Sequence, residues 1–137
     1  MSCPATVLVL CTGNSCRSQM AEAILNHDLA GLVHAISAGT RPQPEVAAGA
    51  IEALRLAGLP TAGLVPKDVA QVMDAAIDLV VSVCDSARET CPVFPRSVRN
   101  IHVPFHDPHG EDLGSFIAVR NDIRTRLVPA VREALGL

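Results

Sequence analysis

The sequence has 137 residues, enough for one domain, and 49% of them are hydrophobic, so the chain can bury a sizeable core. A net charge of −3 without a basic stripe argues against nucleic acid as a partner. No apolar run approaches the roughly 20 residues of a membrane span and no signal peptide is present, so we expect a cytoplasmic protein. In that compartment five cysteines indicate catalysis, redox chemistry or metal binding rather than structural disulfides.

Strand and helix patterns alternate along the chain, which predicts a parallel sheet covered on both faces. A buried strand over Val7–Leu10 precedes a helix from about Ser15 to Leu29, and a second strand follows over His34–Ala38. Pro44 is the predicted first residue of the next helix, and Gly58 is its predicted C-cap. The first half of the chain therefore predicts the order strand, helix, strand, helix.

The second half of the chain continues this alternation. Lys67–Ala76 is predicted as a short helix, Asp78–Val83 as a third buried strand and Asn100–Phe105 as a fourth. A single apolar stripe predicts a last helix over Leu113–Leu135, which Pro129 should kink or divide. The pattern predicts one domain over the whole chain, an α/β fold with three α/β/α layers around a four-stranded parallel sheet.

The loop after the first strand has the composition of an oxyanion site. Converging loop amides and a following helix N-terminus form such a site, and Gly13 and Asn14 tolerate the left-handed backbone that it needs. Five residues separate Cys11 from Arg17, whose guanidinium can hold two oxygens and, with the helix dipole, should lower the pKa of the Cys11 thiol. Ser18 is a candidate hydrogen-bond donor to that sulfur. The predicted binding loop comprises Thr12, Gly13, Asn14, Ser15, Cys16, Arg17 and Ser18.

Active sites of doubly wound sheets form at the carboxyl ends of the strands. That rule brings together four stretches: Cys11–Ser18, Ser37–Arg41, Cys84–Cys91 and His106–Pro108. Asp107 is then a candidate general acid that protonates a leaving oxygen, and an Asp-Pro surface turn is the alternative.

Cys84 and Cys91 leave three interpretations open: a redox pair, two buried small hydrophobic residues, or a metal site, for which their spacing is unusual. Ser86–Thr90 is predicted to begin a helix that Pro92 stops. A helix would separate the two cysteines by a rise of about 10 Å, whereas a disulfide needs Cα atoms roughly 4.4–6.8 Å apart. We therefore predict that segment 82–95 loops out on oxidation. Cys16 is expected to pack beneath the oxyanion loop.

These segments together resemble the low-molecular-weight tyrosine phosphatase superfamily and, more closely, the thioredoxin-coupled arsenate reductases built on its flavodoxin-like fold. The matching segments are CTGNSCRSQMAE (Cys11–Glu22), SAGTRP (Ser37–Pro42), LVVSVCDSARETCP (Leu79–Pro92) and HDP (His106–Pro108). A Cys-x5-Arg loop near the N-terminus with Asp-Pro late in the chain is specific to this superfamily, and the paired cysteines indicate the reductases within it.

The resemblance implies that Cys11 attacks arsenate held by Arg17, while Asp107 protonates the departing oxygen. Cys84 then attacks Cys11 and arsenite leaves. Cys91 resolves that disulfide, and thioredoxin reduces the resulting pair of Cys84 and Cys91.

The resemblance implies no organic cofactor. Some relatives hold a potassium ion beside the loop; the matching residues are Asn14, Glu22, Ser37 and Asp68, each of which a cap or loop hydrogen bond would equally explain. The expected partners are arsenate, with phosphate and sulfate as analogues, and thioredoxin. We expect a monomer that binds neither nucleic acid nor membrane.

Two other functions remain open from the sequence. A phosphatase acting on phosphotyrosine or small phosphomonoesters would use only Cys11, Arg17 and Asp107. The chain has no Tyr or Trp to hold a phenyl ring, and His109 follows Pro108, which favours the small arsenate ion. A non-enzymatic arsenite or redox sensor would use the thiols as soft ligands and would not need the oxyanion loop.

Overall fold

A four-stranded parallel sheet forms the centre of the molecule, of which the computed structural model describes residues 3–85, 93–94 and 96–137. The strands are β1 (Ala5–Cys11), β2 (Val33–Gly39), β3 (Leu79–Ser82) and β4 (Asn100–His102). Their order is β2-β1-β3-β4, and all three pairings are parallel. The strand order reverses between β1 and β3, which is where open α/β sheets form their binding crevices.

The described residues form four α-helices around the sheet, together with one 3₁₀ turn and one π-helical turn. The helices are α1 (Arg17–Asp28), α2 (Ala48–Leu56), α3 (Leu113–Asp122) and α4 (Val128–Leu135), with a 3₁₀ turn at Val69–Val72 and a π-helical turn at Ile123–Leu127. None of the helices in the described ranges is long and apolar enough to cross a membrane.

Strand β1 supplies side chains to two hydrophobic clusters, one on each face of the sheet. Val7 and Val9 belong to the cluster that includes residues of all four α-helices. Leu8 and Leu10 belong to the other, together with residues such as Phe94. Successive side chains of a strand point to opposite faces, so a strand buried on both sides reads as an unbroken apolar run. The predicted α/β fold with a covered parallel sheet is confirmed.

Several element boundaries differ from the sequence prediction. Helix α2 begins at Ala48, so Pro44 is not its first residue. Gly58, with a φ of 71°, follows the cap residue Ala57, as expected for a glycine that ends a helix. The helix predicted from Lys67 is only a 3₁₀ turn.

Two further predictions concern the later strands and the Cys84–Cys91 region. Strand β4 ends at His102 instead of continuing to Phe105. The helix predicted to begin at Ser86–Thr90 and stop at Pro92 lies outside the described residues.

Pro129 divides the last helical stretch, as the sequence predicts. A proline inside a helix has no N–H for the carbonyl four residues earlier, here Thr125, and its ring would collide with that carbonyl. The chain meets this restriction with the π-helical turn Ile123–Leu127, after which α4 begins with Pro129 in its first turn.

Candidate active site

A pocket of about 280 Å³ lies at the carboxyl end of β1. Its lining residues come from the loop after β1, the segment after β2 and the loop after β4: Cys11, Thr12, Gly13, Asn14, Ser15, Cys16, Arg17, Arg41, Gln43, Asp107 and His109. Three of the four stretches expected at this edge of the sheet therefore contribute to one pocket. Cys84, from the fourth, is buried and does not line it.

The carbonyl groups of the loop after β1 are bound by other parts of the chain. The bonds, from N–H donors to carbonyl acceptors, are Arg41 to Thr12 (3.0 Å), Gln43 to Gly13 (2.9 Å), Ala47 to Ser15 (2.8 Å) and Met20 to Cys16 (2.9 Å). The Gln19 side-chain amide donates to the Asn14 carbonyl at 2.9 Å. In a trans peptide the following N–H points the opposite way, and no cis peptide occurs in the described chain. The amides of residues 13–17 thus face away from these donors, as an oxyanion loop requires.

Asn14 has a φ of 49°, and among the described residues it is the only non-glycine with positive φ. Its side-chain amide donates to the hydroxyl groups of Ser18 (2.8 Å) and Ser37 (3.0 Å). Its side-chain oxygen accepts the Lys67 N–H at 2.8 Å. Three separate segments therefore stabilise the left-handed turn of the loop.

The last residue of β2 packs directly against the loop. A Cβ atom on Gly39 would lie 2.4 Å from the Thr12 carbonyl oxygen, a distance that no side chain can occupy. Only glycine permits this approach of backbone to backbone.

Arg17 lies at the inner side of the pocket, with 3% of the residue exposed. Its Nη1 donates to the Phe105 carbonyl at 3.2 Å, and its Nη2 lies 3.6 Å from Asp107 Oδ2. The Asp107 side chain is half exposed, and its Oδ1 accepts the His109 N–H at 3.1 Å. Asp107 thus lies in the predicted Asp-Pro turn and also lines the pocket beside Arg17.

Comparison with known proteins identifies the family. Residues 6–133 match the family described as low molecular weight phosphotyrosine protein phosphatase. The chain belongs to this family. Arsenate reductase 1 of Bacillus cereus is 37% identical over 126 residues, which cover 89% of this chain and 90% of the relative.

Solved structures of arsenate reductases share the phosphatase fold of this chain. The crystal structure of the Archaeoglobus fulgidus arsenate reductase aligns with a TM-score of 0.81 at 32% identity, over 91% of this chain and 98% of the other. The thioredoxin-dependent arsenate reductase of Corynebacterium glutamicum aligns with a TM-score of 0.70 at 25% identity, over 97% of this chain and 64% of the other. The resemblance found in the sequence is confirmed.

Two thiols of this phosphatase-family loop, both outside any disulfide, line the pocket: Cys11 and Cys16, each about 5% exposed or less. Burial raises the pKa of the Cys16 thiol far above its ordinary range, and the negative charge of Asp107 adds to the effect. Cys16 is therefore a neutral thiol at any physiological pH, which suits a packing role better than a nucleophilic one.

Cys84 is buried and disulfide-bonded in this structure. It lies two residues beyond the end of β3. Because Leu10 of β1 pairs with Ser82 of β3, the chain leads into Cys84 from the strand adjacent to Cys11. Cys91, the other predicted redox cysteine, lies outside the described residues.

Hydrogen bonds join three of the four residues predicted to hold potassium, namely Asn14, Ser37 and Glu22. Ser37 accepts from Asn14 and donates to Glu22 Oε1 at 2.8 Å. Asp68 instead uses its Oδ1 to accept the Ala70 N–H as the cap of the 3₁₀ turn. No cluster of three or more His, Cys, Asp or Glu side chains suited to a metal occurs in the part of the chain that the structure describes.

Sequence reasoning missed three residues that contribute to the site. Gln43 lines the pocket, Gln19 donates to the loop, and Lys67 places its Nζ 3.6 Å from Glu22 Oε1. Gln43 and Lys67 belong to segments between regular elements, where no periodicity indicates which side chain faces the site.

Proposed function

We propose that this protein reduces arsenate to arsenite. The observation that carries the proposal is the pocket at the end of β1, whose oxyanion loop brings the reduced thiol of Cys11 and the buried guanidinium of Arg17 together with the carboxyl group of Asp107. Relatives at up to 37% identity over most of the chain are named arsenate reductases, which supports this substrate.

The first proposed step joins the substrate to the protein. The Cys11 thiolate attacks arsenic while Arg17 and the loop amides hold the oxygens. Asp107 gives its proton to the departing oxygen, which leaves as water. The product is a thiol–arsenate adduct in which arsenic is still in its +5 state.

The second proposed step is the redox step. The Cys84 thiolate attacks the Cys11 sulfur, and the electron pair of the sulfur–arsenic bond passes to arsenic. Arsenic becomes As(III) and leaves as arsenite, while the two thiols are oxidised to a disulfide. The position of Cys84 beyond β3, beside the strand that ends in Cys11, supports this role.

The remaining steps regenerate the thiols. Cys91 attacks Cys84 and frees Cys11, and a thioredoxin dithiol then reduces the disulfide between Cys84 and Cys91. The name of the Corynebacterium relative supports thioredoxin as the reductant. A reductant of this kind, together with the reduced thiols of Cys3, Cys11 and Cys16, supports a cytoplasmic location as part of the same proposal.

Arsenate reduction is tested with the reduced protein, arsenate, thioredoxin, thioredoxin reductase and NADPH. We expect one NADPH consumed for each arsenite formed. Cys11→Ser should abolish turnover, and Cys91→Ser should stop after about one turnover with Cys11 and Cys84 joined. Cys3→Ser, at an exposed cysteine away from the pocket, is the matched control and should retain full activity. Sustained turnover by Cys91→Ser with thioredoxin as the only reductant would refute the relay.

A phosphatase is the second candidate, because the family itself is named for phosphotyrosine hydrolysis. The described residues that line the pocket include no Phe, and the chain has neither Tyr nor Trp to hold a phenyl ring. We therefore expect weak hydrolysis of p-nitrophenyl phosphate. Efficient hydrolysis of phosphotyrosine peptides without arsenate reduction would favour this second function.

A further inference from the structure

A nearly buried carboxylate lies outside the pocket lining but is connected to the oxyanion loop. Glu22 belongs to α1, and its side chain is 13% exposed. Its Oε1 accepts a hydrogen bond from the Ser37 hydroxyl, whose oxygen accepts from the Asn14 amide. A carboxylate withdrawn from water needs a compensating positive charge as well as hydrogen bonds.

The only lysine of the sequence supplies that charge. Lys67 Nζ lies 3.6 Å from Glu22 Oε1, and the Lys67 side chain is 22% exposed. The ammonium also donates to the Val65 carbonyl at 3.0 Å.

The Lys67 backbone is itself bonded to the site. Its N–H donates to Asn14 Oδ1 at 2.8 Å, and its carbonyl accepts the Gly39 N–H at 2.8 Å. The Lys67 backbone, from which the ammonium extends, is therefore held by both the loop and the end of β2.

We propose that the Lys67 ammonium is the resident monovalent cation of this site, so that the oxyanion loop does not depend on potassium. The ammonium offsets the negative charge of the Glu22 carboxylate, whose Oε1 accepts the hydrogen bond from the Ser37 hydroxyl. Ser37 then presents its oxygen to the Asn14 amide, which holds the loop in its left-handed turn. Lys67 is thus a positioning residue that acts on the loop through Glu22, Ser37 and Asn14.

The four residues predicted to hold potassium fit a potassium ion poorly in this chain. Glu22 Oε1 already faces an ammonium and a hydroxyl, and Asn14 Oδ1 accepts the Lys67 N–H. Asp68 directs Oδ1 to the Ala70 N–H. A potassium ion at this position would also be repelled by the ammonium.

The inference rests on the oxyanion loop of the proposed function and applies equally to arsenate reduction and phosphate-ester hydrolysis. Its test therefore measures binding of the anion, independently of the thiol relay. The dissociation constant of phosphate is measured by calorimetry on the reduced protein. The ionic strength is kept constant with KCl, NaCl or choline chloride.

For wild type, we expect the dissociation constants of phosphate in the three salts to agree within about twofold. Lys67→Met should bind roughly 10- to 100-fold more weakly in choline chloride, since misplaced binding groups cost that much. KCl should restore most of the lost affinity, because a potassium ion can take the place that the ammonium has left. Arg132→Met removes the same charge from an exposed position on α4 and should bind like wild type in every salt.

Three results would overturn the proposal. If wild type binds phosphate more tightly in KCl than in choline chloride, the site uses potassium despite Lys67. Lys67→Met matching wild type in choline chloride would show that the ammonium does not position the loop. A loss of affinity that KCl does not reverse, in a variant whose thermal unfolding shows it to be folded, would make Lys67 a structural residue only.

Discussion

Arg17 and Asp107 form an ion pair in the lining of the pocket, with Nη2 of the guanidinium 3.6 Å from Oδ2 of the carboxylate. The Arg17 side chain is 4% exposed and that of Asp107 is 49% exposed, so a buried guanidinium is paired with a carboxylate that is accessible to solvent. A bound dianion would share this guanidinium with the carboxylate. Protonation of one of the two anionic groups then relieves their repulsion, which is the condition that a general acid needs.

Asp107→Asn should lower turnover by roughly 10²–10⁴-fold, because an amide cannot give a proton to the leaving oxygen. Phosphate should bind as tightly as in wild type or more tightly, since the variant removes a negative charge beside the anion. The measurements are kcat for arsenate reduction and the dissociation constant of phosphate.

The matched control for this variant is Asp74→Asn, an exposed carboxylate outside the pocket lining. It removes the same charge and should change neither quantity. If kcat of Asp107→Asn stays within about twofold of wild type, Asp107 only stabilises the turn in which it accepts the His109 N–H.

Gly39→Ala should weaken phosphate binding and destabilise the protein by roughly 1–3 kcal/mol, the usual cost of overpacking. The reason is the 2.4 Å distance between the added Cβ and the Thr12 carbonyl oxygen. Because that oxygen belongs to the backbone, it cannot move aside as the end of a flexible side chain could. Gly114→Ala in α3 is the control, because its Cβ meets nothing closer than 3.4 Å and alanine favours a helix by up to about 1 kcal/mol. Denaturant unfolding and phosphate calorimetry measure both effects. Equal stability of the two variants would contradict the close approach of β2 to the loop.

The sheet and the position of the loop could be predicted because their signals are local. The run Val7–Leu10 is apolar on both faces of the strand, and Cys11 follows at its carboxyl end. Pro129 likewise restricts the helix through its own ring and missing N–H, and the predicted division of the last helix is confirmed.

The start of α2 could not be predicted because it depends on contacts distant in sequence. Pro44 suits the first turn of a helix, but the neighbouring amides of Gln43 and Ala47 donate to the carbonyls of Gly13 and Ser15. The chain stays extended enough to reach the loop, and the helix begins only at Ala48. No periodicity in segment 41–47 indicates this.

Cys16 should resist alkylation at neutral pH while Cys11 reacts, even though both line the pocket. Burial and the charge of Asp107 raise the pKa of Cys16, so its reactive thiolate is absent. Limited iodoacetamide treatment followed by peptide mass spectrometry should find the label on Cys11 and on the exposed Cys3. Phosphate should protect Cys11 and leave Cys3 unaffected. Label on Cys16 at a level similar to Cys11 would contradict the assignment of Cys16 as a neutral packing thiol.

The ion pair of Asp28 and Arg124 ties the end of α1 to the π-helical turn. Arg124 Nε donates to Oδ2 at 2.9 Å and Nη2 to Oδ1 at 2.7 Å, a two-point contact. These hydrogen bonds lower the pKa of the Asp28 carboxyl below its ordinary value, and the His27 side chain adds to the shift. A carboxyl with a lowered folded pKa contributes stability above its unfolded pKa and loses it as the pH falls through the folded value.

Asp28→Asn should therefore lower the free energy of unfolding by about 1 kcal/mol at pH 7, and the difference from wild type should shrink below about pH 4, where the carboxyl of the unfolded chain is protonated. Denaturant unfolding from pH 3 to pH 8 measures this difference. Asp122→Asn is the control, because its pair with Arg126 is 44% exposed on both sides and should contribute less than about 0.5 kcal/mol at any pH. A difference for Asp28→Asn that stays constant down to pH 3 would assign the loss to packing rather than to the charge of the carboxylate.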